Sequence, residues 1–151
     1  MSVKGNDLNE DIYVGLELPL TYGNYGFFNR TKTALQQASS NIKSLLLTNK
    51  GERLGNPTFG TNLLSIAFEQ ENTDIESRVE EEIRSSMIEF LPFVNIVNIN
   101  QEFSSTNKNK YNVNIRFSLN VDTTTEADLN LDLSNYTGEL AKDPHDVTGI
   151  F

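Results

Sequence analysis

The feature that most constrains the fold is the stretch from Tyr111 to Val121. Tyr111, Val113, Ile115, Phe117, Leu119 and Val121 alternate without a fault with Asn112, Asn114, Arg116, Ser118 and Asn120. Successive side chains of a strand point to opposite faces, so this period of two gathers the apolar groups on one face and the polar groups on the other. Such a strand needs cover on one side only, which calls for antiparallel neighbours in a sheet with a single packed face. Six apolar side chains at about 1.5–3 kcal/mol each give on the order of 10 kcal/mol of gross burial before chain entropy is subtracted. The stretch is therefore the expected centre of the sheet.

Its neighbours are legible too. Val94-Asn95-Ile96 and Val97-Asn98-Ile99, on to Phe103, alternate with one slip of phase, which predicts a bulge near Val97. Ser104 to Lys110 form a polar turn into the central strand. On its other side Asp122 to Glu126 read as a connection, after which Leu129, Leu131 and Leu133 alternate with Asn130 and Asp132 as a third strand. Short connections make the three antiparallel neighbours.

Upstream the period is helical. Leu35, Ala38, Ile42, Leu45 and Leu46 recur every three or four residues, predicting a helix from Thr31 or Thr33 to Leu47. Ile75, Val79, Ile83, Met87 and Phe90 predict a second long helix, opened by the capping-box pattern Thr73-Asp74-Ile75-Glu76 and stopped by Pro92. Asp74 and Glu76 complement its positive end. Leu63, Leu64, Ile66, Ala67 and Phe68 predict a short buried helix between the two. The expected fold is α+β: two main helices plus a short connecting helix, packed on one face of a three-stranded antiparallel sheet. N- and C-terminal arms flank it. The expected boundaries are an arm over 1–30, the α+β domain over 31–134 and a tail over 135–151. At 151 residues the chain fits one domain, which buries roughly 68–70% of its unfolded surface.

In the arm, Ile12, Val14, Leu16 and Leu18 alternate up to Pro19, and an aromatic, glycine-rich run follows from Tyr22 to Phe28. Two readings stand: a strand that covers its own core, or a segment that reaches a neighbouring subunit. The tail, with Gly138, Pro144 and Gly149 among charges, reads as ordered only when bound.

Between the first two helices lies a loop with Gly51, Gly55, Gly60 and Pro57, flanked by strongly apolar segments. Gly51 is expected to end the helix through a positive φ, and Gly55 and Gly60 to permit sharp bends or close backbone approach. Phe59 is expected to pin the loop to the core. Glu52 and Arg53 are adjacent, so they diverge and seek separate partners, tying down loop amides or carbonyls.

Composition excludes several function classes. A formal charge of −9, with 12 basic residues scattered singly, argues against nucleic acid as a partner and leaves a basic protein partner open. Cysteine is absent, which removes disulfides, thiolate zinc sites and thiol nucleophiles. No apolar run approaches the ~20 residues of a membrane span, and Met1 to Asp7 hold no apolar signal core. Glu80-Glu81-Glu82 point about 100° apart on a helix and read as a solvated face rather than a metal cluster. His145, the sole histidine, sits beside Pro144 between Asp143 and Asp146, a poor setting for a packed general base. The glycine loop matches no phosphate-binding pattern. Among the acids Glu52 is the best-placed candidate for glycoside hydrolysis, but no tryptophan is present to line a sugar cleft. No cofactor, metal or small-molecule substrate is expected.

The order Leu45-Leu46-Leu47-Thr48, Gly51-Glu52-Arg53, Pro57, Phe59-Gly60, Leu63 and Phe68-Glu69 resembles the signature of the baseplate wedge proteins of contractile phage tails. That family includes a T-even wedge subunit once labelled a tail lysozyme and the sheath-platform subunit of type VI secretion machines. The resemblance covers roughly Thr31 to Leu133. It departs at Leu91-Pro92-Phe93, where the family often has Glu-Pro-Arg and only Pro92 matches. The resemblance implies a non-enzymatic structural subunit of a virion tail baseplate, assembled in the host cytoplasm. Its implied partners are other baseplate wedge subunits, clamped through their helical bundle, and the tail sheath protein, whose terminal strands join the sheet edge by β-augmentation. The matched loop residues are Gly51, Glu52, Arg53, Pro57, Phe59, Gly60 and Leu63, and the expected sheath-facing edge carries Leu129, Leu131 and Leu133. The alternatives are a peptidoglycan-degrading tail lysozyme and the type VI counterpart.

Overall fold

The computed structural model describes residues 13–18, 20–23, 28–67, 74–103 and 111–133. Expectations for Ile12, Pro19, Phe68, Glu69, Thr73, the turn Ser104 to Lys110, His145 and the tail lie outside those residues. The element order is β1 (Gly15–Leu16), β2 (Arg30–Thr31), α1 (Ala34–Leu47), α2 (Leu63–Ala67), α3 (Ile75–Phe90), β3 (Val94–Phe103), β4 (Tyr111–Leu119) and β5 (Asp122–Asp132).

β4 is the centre of the three-stranded antiparallel sheet, ordered β3-β4-β5. Its apolar face, Tyr111, Val113, Ile115, Phe117 and Leu119, is buried. Leu129, Leu131 and Leu133 of the β5 side join them, and the helices supply Ala38, Ile42, Leu45, Leu46, Leu63, Val79, Ile83 and Met87. The fold is thus α+β, with helices on one face. The opposite face stays polar: Asn98, Asn100, Asn112, Asn114, Arg116, Asp128 and Asn130 lie in neighbouring register positions. There Arg116 donates to Asp128 at 2.8 Å, which pushes the guanidinium pKa up.

The phase slip of β3 is a bulge, with the register shifting between Ile96 and Asn98 so that Val97 has no partner on β4. The β4–β5 connection corrects the expectation. Asp122 to Glu126 belong to β5, and the turn is only Asn120-Val121, which leaves Val121 exposed rather than on the buried face. The Asp122 carboxylate organises this stretch by accepting from the Thr124 N–H at 3.2 Å and the Thr125 hydroxyl at 2.9 Å. The hairpin is tied to the end of α3, where Asn120 donates from its backbone to Phe93 at 3.0 Å and from its side chain to Pro92 at 2.9 Å.

α1 opens with a capping box. The Thr33 hydroxyl accepts from the Gln36 N–H at 3.2 Å while the Gln36 side chain accepts from the Thr33 N–H at 3.4 Å. At α3 the N-cap is Asp74, whose side chain makes no capping bond, so the acidic pattern there acts through charge. α3 ends at Phe90. Leu91 already has φ −130°, as expected of a residue before proline. The described part of the N-terminal arm lies across α1: β1 pairs with β2, the Leu18 N–H donates to Ser40 at 3.3 Å, and Thr31 donates to Gln37 at 2.6 Å.

Candidate functional site

The loop between α1 and α2 is closed at its base. Asn49 and Thr61 form a parallel bridge, with the Thr61 N–H donating to Thr48 at 2.8 Å and the Lys50 N–H donating to Thr61 at 3.3 Å. Thr61 is buried, and its hydroxyl donates to the Leu46 carbonyl at 2.9 Å while accepting from the Leu63 N–H at 3.3 Å. One threonine therefore joins the last turn of α1 to the first residue of α2. A loop whose ends meet in this way is a structured Ω-type connection.

Gly60 makes the closure sterically possible. It has φ +117°, and a Cβ there would lie 2.4 Å from the Thr48 carbonyl oxygen, so both conformation and space demand glycine. Gly51 has φ +94° at the third position of the turn Asn49 to Glu52, closed by the Glu52 N–H on the Asn49 carbonyl at 3.1 Å. This corrects its expected role. The helix has already ended at Thr48, whose backbone is extended, so Gly51 reverses the chain without capping it. Gly55 differs from both: its φ is not positive and a Cβ there would meet nothing within 4 Å.

Glu52 and Arg53 do find separate partners. The Glu52 carboxylate accepts from the Asn49 side chain and backbone N–H, both at 2.9 Å, and those bonds hold its pKa below the ordinary glutamate value. Among the described residues Arg53 ties down no carbonyl through its side chain; its guanidinium stacks on the Phe59 ring, 4.5 Å from the centroid. Phe59 meets Phe90 edge to face, with centroids 5.3 Å apart, and so pins the loop to the core as expected. Pro57 accepts from the Gly51 N–H at 2.9 Å across the loop, and Leu63 is fully buried at the start of α2.

Glu82 was not legible as a site residue. It belongs to the acidic run read as a solvated face, yet its side chain is only 16% exposed. It accepts from the Asn62 N–H and from the Lys50 ammonium, each at 2.9 Å. Partial burial raises its pKa, and the two hydrogen bonds and the charge of Lys50 outweigh this and hold it low. α3 thereby grips both ends of the loop. The only foreshadowing is that Glu82 lies beside Ile83 and so near the packed stripe. Its neighbour Glu80 pairs with Arg84 at 2.8 Å. Among the described residues no three acidic or histidine side chains converge on a metal-sized site.

The second candidate surface is the free edge of β5. Leu129, Leu131 and Leu133 point their side chains into the core, so a chain meeting this edge would meet backbone. Beside the edge runs a groove of about 340 Å³, lined by Leu18, Lys43, Ser44, Leu47, Thr48, Asn130, Leu131 and Asp132.

Comparison with known proteins adds to this geometry. The model for the family described as baseplate wedge protein gp25 matches residues 33–124. No curated protein matches the chain. Among the solved structures that share the fold are the following two. One, from Geobacter sulfurreducens and provisionally named a tail lysozyme, has 21% sequence identity and a TM-score of 0.58 over 66% of this chain and 89% of its own. The other is a chain of the anti-feeding prophage baseplate seen by cryo-electron microscopy, at 14% identity and a TM-score of 0.59 over 69% of this chain and 82% of its own.

Proposed function

The chain belongs to the gp25 baseplate wedge family, and on that premise we propose that it is a non-enzymatic structural subunit of a contractile-tail baseplate, made in the host cytoplasm. The carrying observation is the loop over residues 49–61, tied down by Glu52, Thr61, Phe59 and Glu82 while Arg53 to Thr58 stay exposed. Ordering an irregular backbone in advance lowers the entropy lost on association. Arg53 fits the same role, because a guanidinium stacked by its face keeps its in-plane N–H donors available to a partner's carboxylate or carbonyl. The partners would be the larger wedge subunits at the loop and the tail sheath protein at the β5 edge. A strand added at β5 would extend the sheet through backbone hydrogen bonds and lay side chains into the groove beside Leu47 and Leu131.

A second reading, peptidoglycan hydrolysis with Glu52 as general acid, is favoured only by the name of one relative in fold. A general acid needs a raised pKa, and the two bonds from Asn49 push this carboxylate the opposite way. The test is co-purification of tagged protein with the wedge and sheath subunits, beside a turbidity assay on peptidoglycan. Arg53→Ala should cost less than about 1 kcal/mol of stability, as expected for an exposed cation–π contact, and should abolish recovery of the wedge subunits. A collapsed monomer would make Arg53 a fold element instead. Clearing of peptidoglycan that Glu52→Gln abolishes would overturn the structural reading.

A further inference from the structure

The tip of the loop carries two residues that the fold itself does not use. Leu54 is 101% exposed, so its side chain is as open to water as in an extended chain and contributes no burial to folding. A single exposed leucine is ordinary. The unusual feature is its neighbour. Gly55 has no positive φ to demand glycine, and a Cβ would meet nothing. Glycine costs chain entropy wherever the folded state does not need it. The two other loop glycines are both explained by positive φ. Gly55 therefore leaves open space beside a protruding apolar side chain, on a loop whose backbone is already fixed. The Asn56 N–H donates to the Arg53 carbonyl at 3.0 Å, closing the tip around Leu54 and Gly55.

We infer that Leu54 is an anchor that enters an apolar pocket on another baseplate subunit, and that the missing side chain at Gly55 lets that subunit's surface close against the loop backbone. The inference rests on the baseplate reading above and specifies the contact. The flanking groups set the chemistry of the pocket. Glu52, Arg53, Asn56 and Thr58 flank the tip in sequence and are all exposed, so the fitting partner surface is an apolar hole with a polar rim of mixed charge. Such a centre-and-rim arrangement is where binding energy concentrates in protein interfaces.

The chain has no cysteine, so Thr58→Cys, exposed beside the tip with Leu54 kept in place, provides a unique attachment point for an environment-sensitive fluorophore. In the purified chain the label should emit as in water. In baseplates assembled with the labelled chain it should shift to the blue and lose quenching by iodide. Leu54→Ala should weaken incorporation in competition with wild type by about 10- to 100-fold, the effect of withdrawing a leucine from an apolar site. Gly55→Ala should weaken it at least tenfold. Neither variant should lower the melting temperature of the chain, which separates a lost contact from a lost fold. A label that stays quenchable in assembled baseplates, or variants that compete equally with wild type, would overturn the inference while leaving the baseplate reading intact. Shielding of the label in the purified chain alone would place the pocket on a second copy and also overturn it. Absence of the wild-type chain from purified baseplates would overturn both readings.

Discussion

The base and the tip of the 49–61 loop share one short stretch of backbone and are built on opposite terms. At the base the polar groups of Thr61, Asn62 and Lys50 are bonded inside the chain: Thr61 bridges α1 and α2, and Glu82 on α3 holds Asn62 and Lys50. At the tip Leu54 and Gly55 touch nothing that stabilises the fold. The difference separates residues that make the loop rigid from residues that the rigidity serves. Glycine appears at both places for different reasons, so glycine content alone does not reveal where a loop is constrained.

Substitutions at four positions sharpen this contrast, and the largest effect belongs at the base. Gly60→Ala forces a side chain into the Thr48 carbonyl at a φ that alanine avoids, and should cost on the order of 3 kcal/mol in urea unfolding. A loss below about 1 kcal/mol would mean that the closure is soft. Glu82→Ala should cost about 1–3 kcal/mol, since it strands the Asn62 N–H and removes a charged acceptor. The same group makes stability depend on acid. Its folded pKa lies below the unfolded one, so its contribution is complete above the unfolded value and fades as pH falls through the folded value. Between neutral pH and about pH 3 the wild type should therefore lose more stability than Glu82→Gln does, unfolding curves at each pH being the check. Gly51→Ala should cost about 1 kcal/mol, because φ is positive there while space is free. Gly55→Ala should fall between zero and a gain of about 0.5 kcal/mol. Equal losses at Gly51, Gly55 and Gly60 would erase the distinction between base and tip.

Much of the sheet was legible in the sequence because one-sided burial writes itself as alternation. The period of two from Tyr111 to Leu119 located the central strand, and the slip at Val97 located the bulge. Alternation says nothing where both faces are polar, so Asp122 to Glu126 read as a connection although they form the first half of β5. Their order comes from the Asp122 carboxylate bonding nearby threonines, a local effect without periodicity. The same limit hid the loop's anchors. Glu82 is 20 residues from the Asn62 it caps, and long-range pairing leaves no trace in the spacing of a helix. Thr61 is a buried polar residue among residues typical of loops, and only the fold brings the Leu46 carbonyl to it. By contrast, Phe59 could be placed because an aromatic ring beside two apolar helices readily finds a partner on them, here Phe90, although Leu54 in the same loop stays exposed.

The bulge at Val97 also makes the two edges of the sheet unlike each other. Both outer strands lack a strand beyond them among the described residues. On β5 the pairing with β4 is continuous from Glu126 to Asp132 and shifts at the hairpin end, between Ser118 and Leu119, whereas on β3 the shift falls at Val97 within the strand, and a bulge twists an edge away from further pairing. Head-to-tail polymers need two joinable surfaces on each unit. An edge bent at Val97 is a poor match for the edge of a second copy, which disfavours growth of this chain into a fibre through its own sheets.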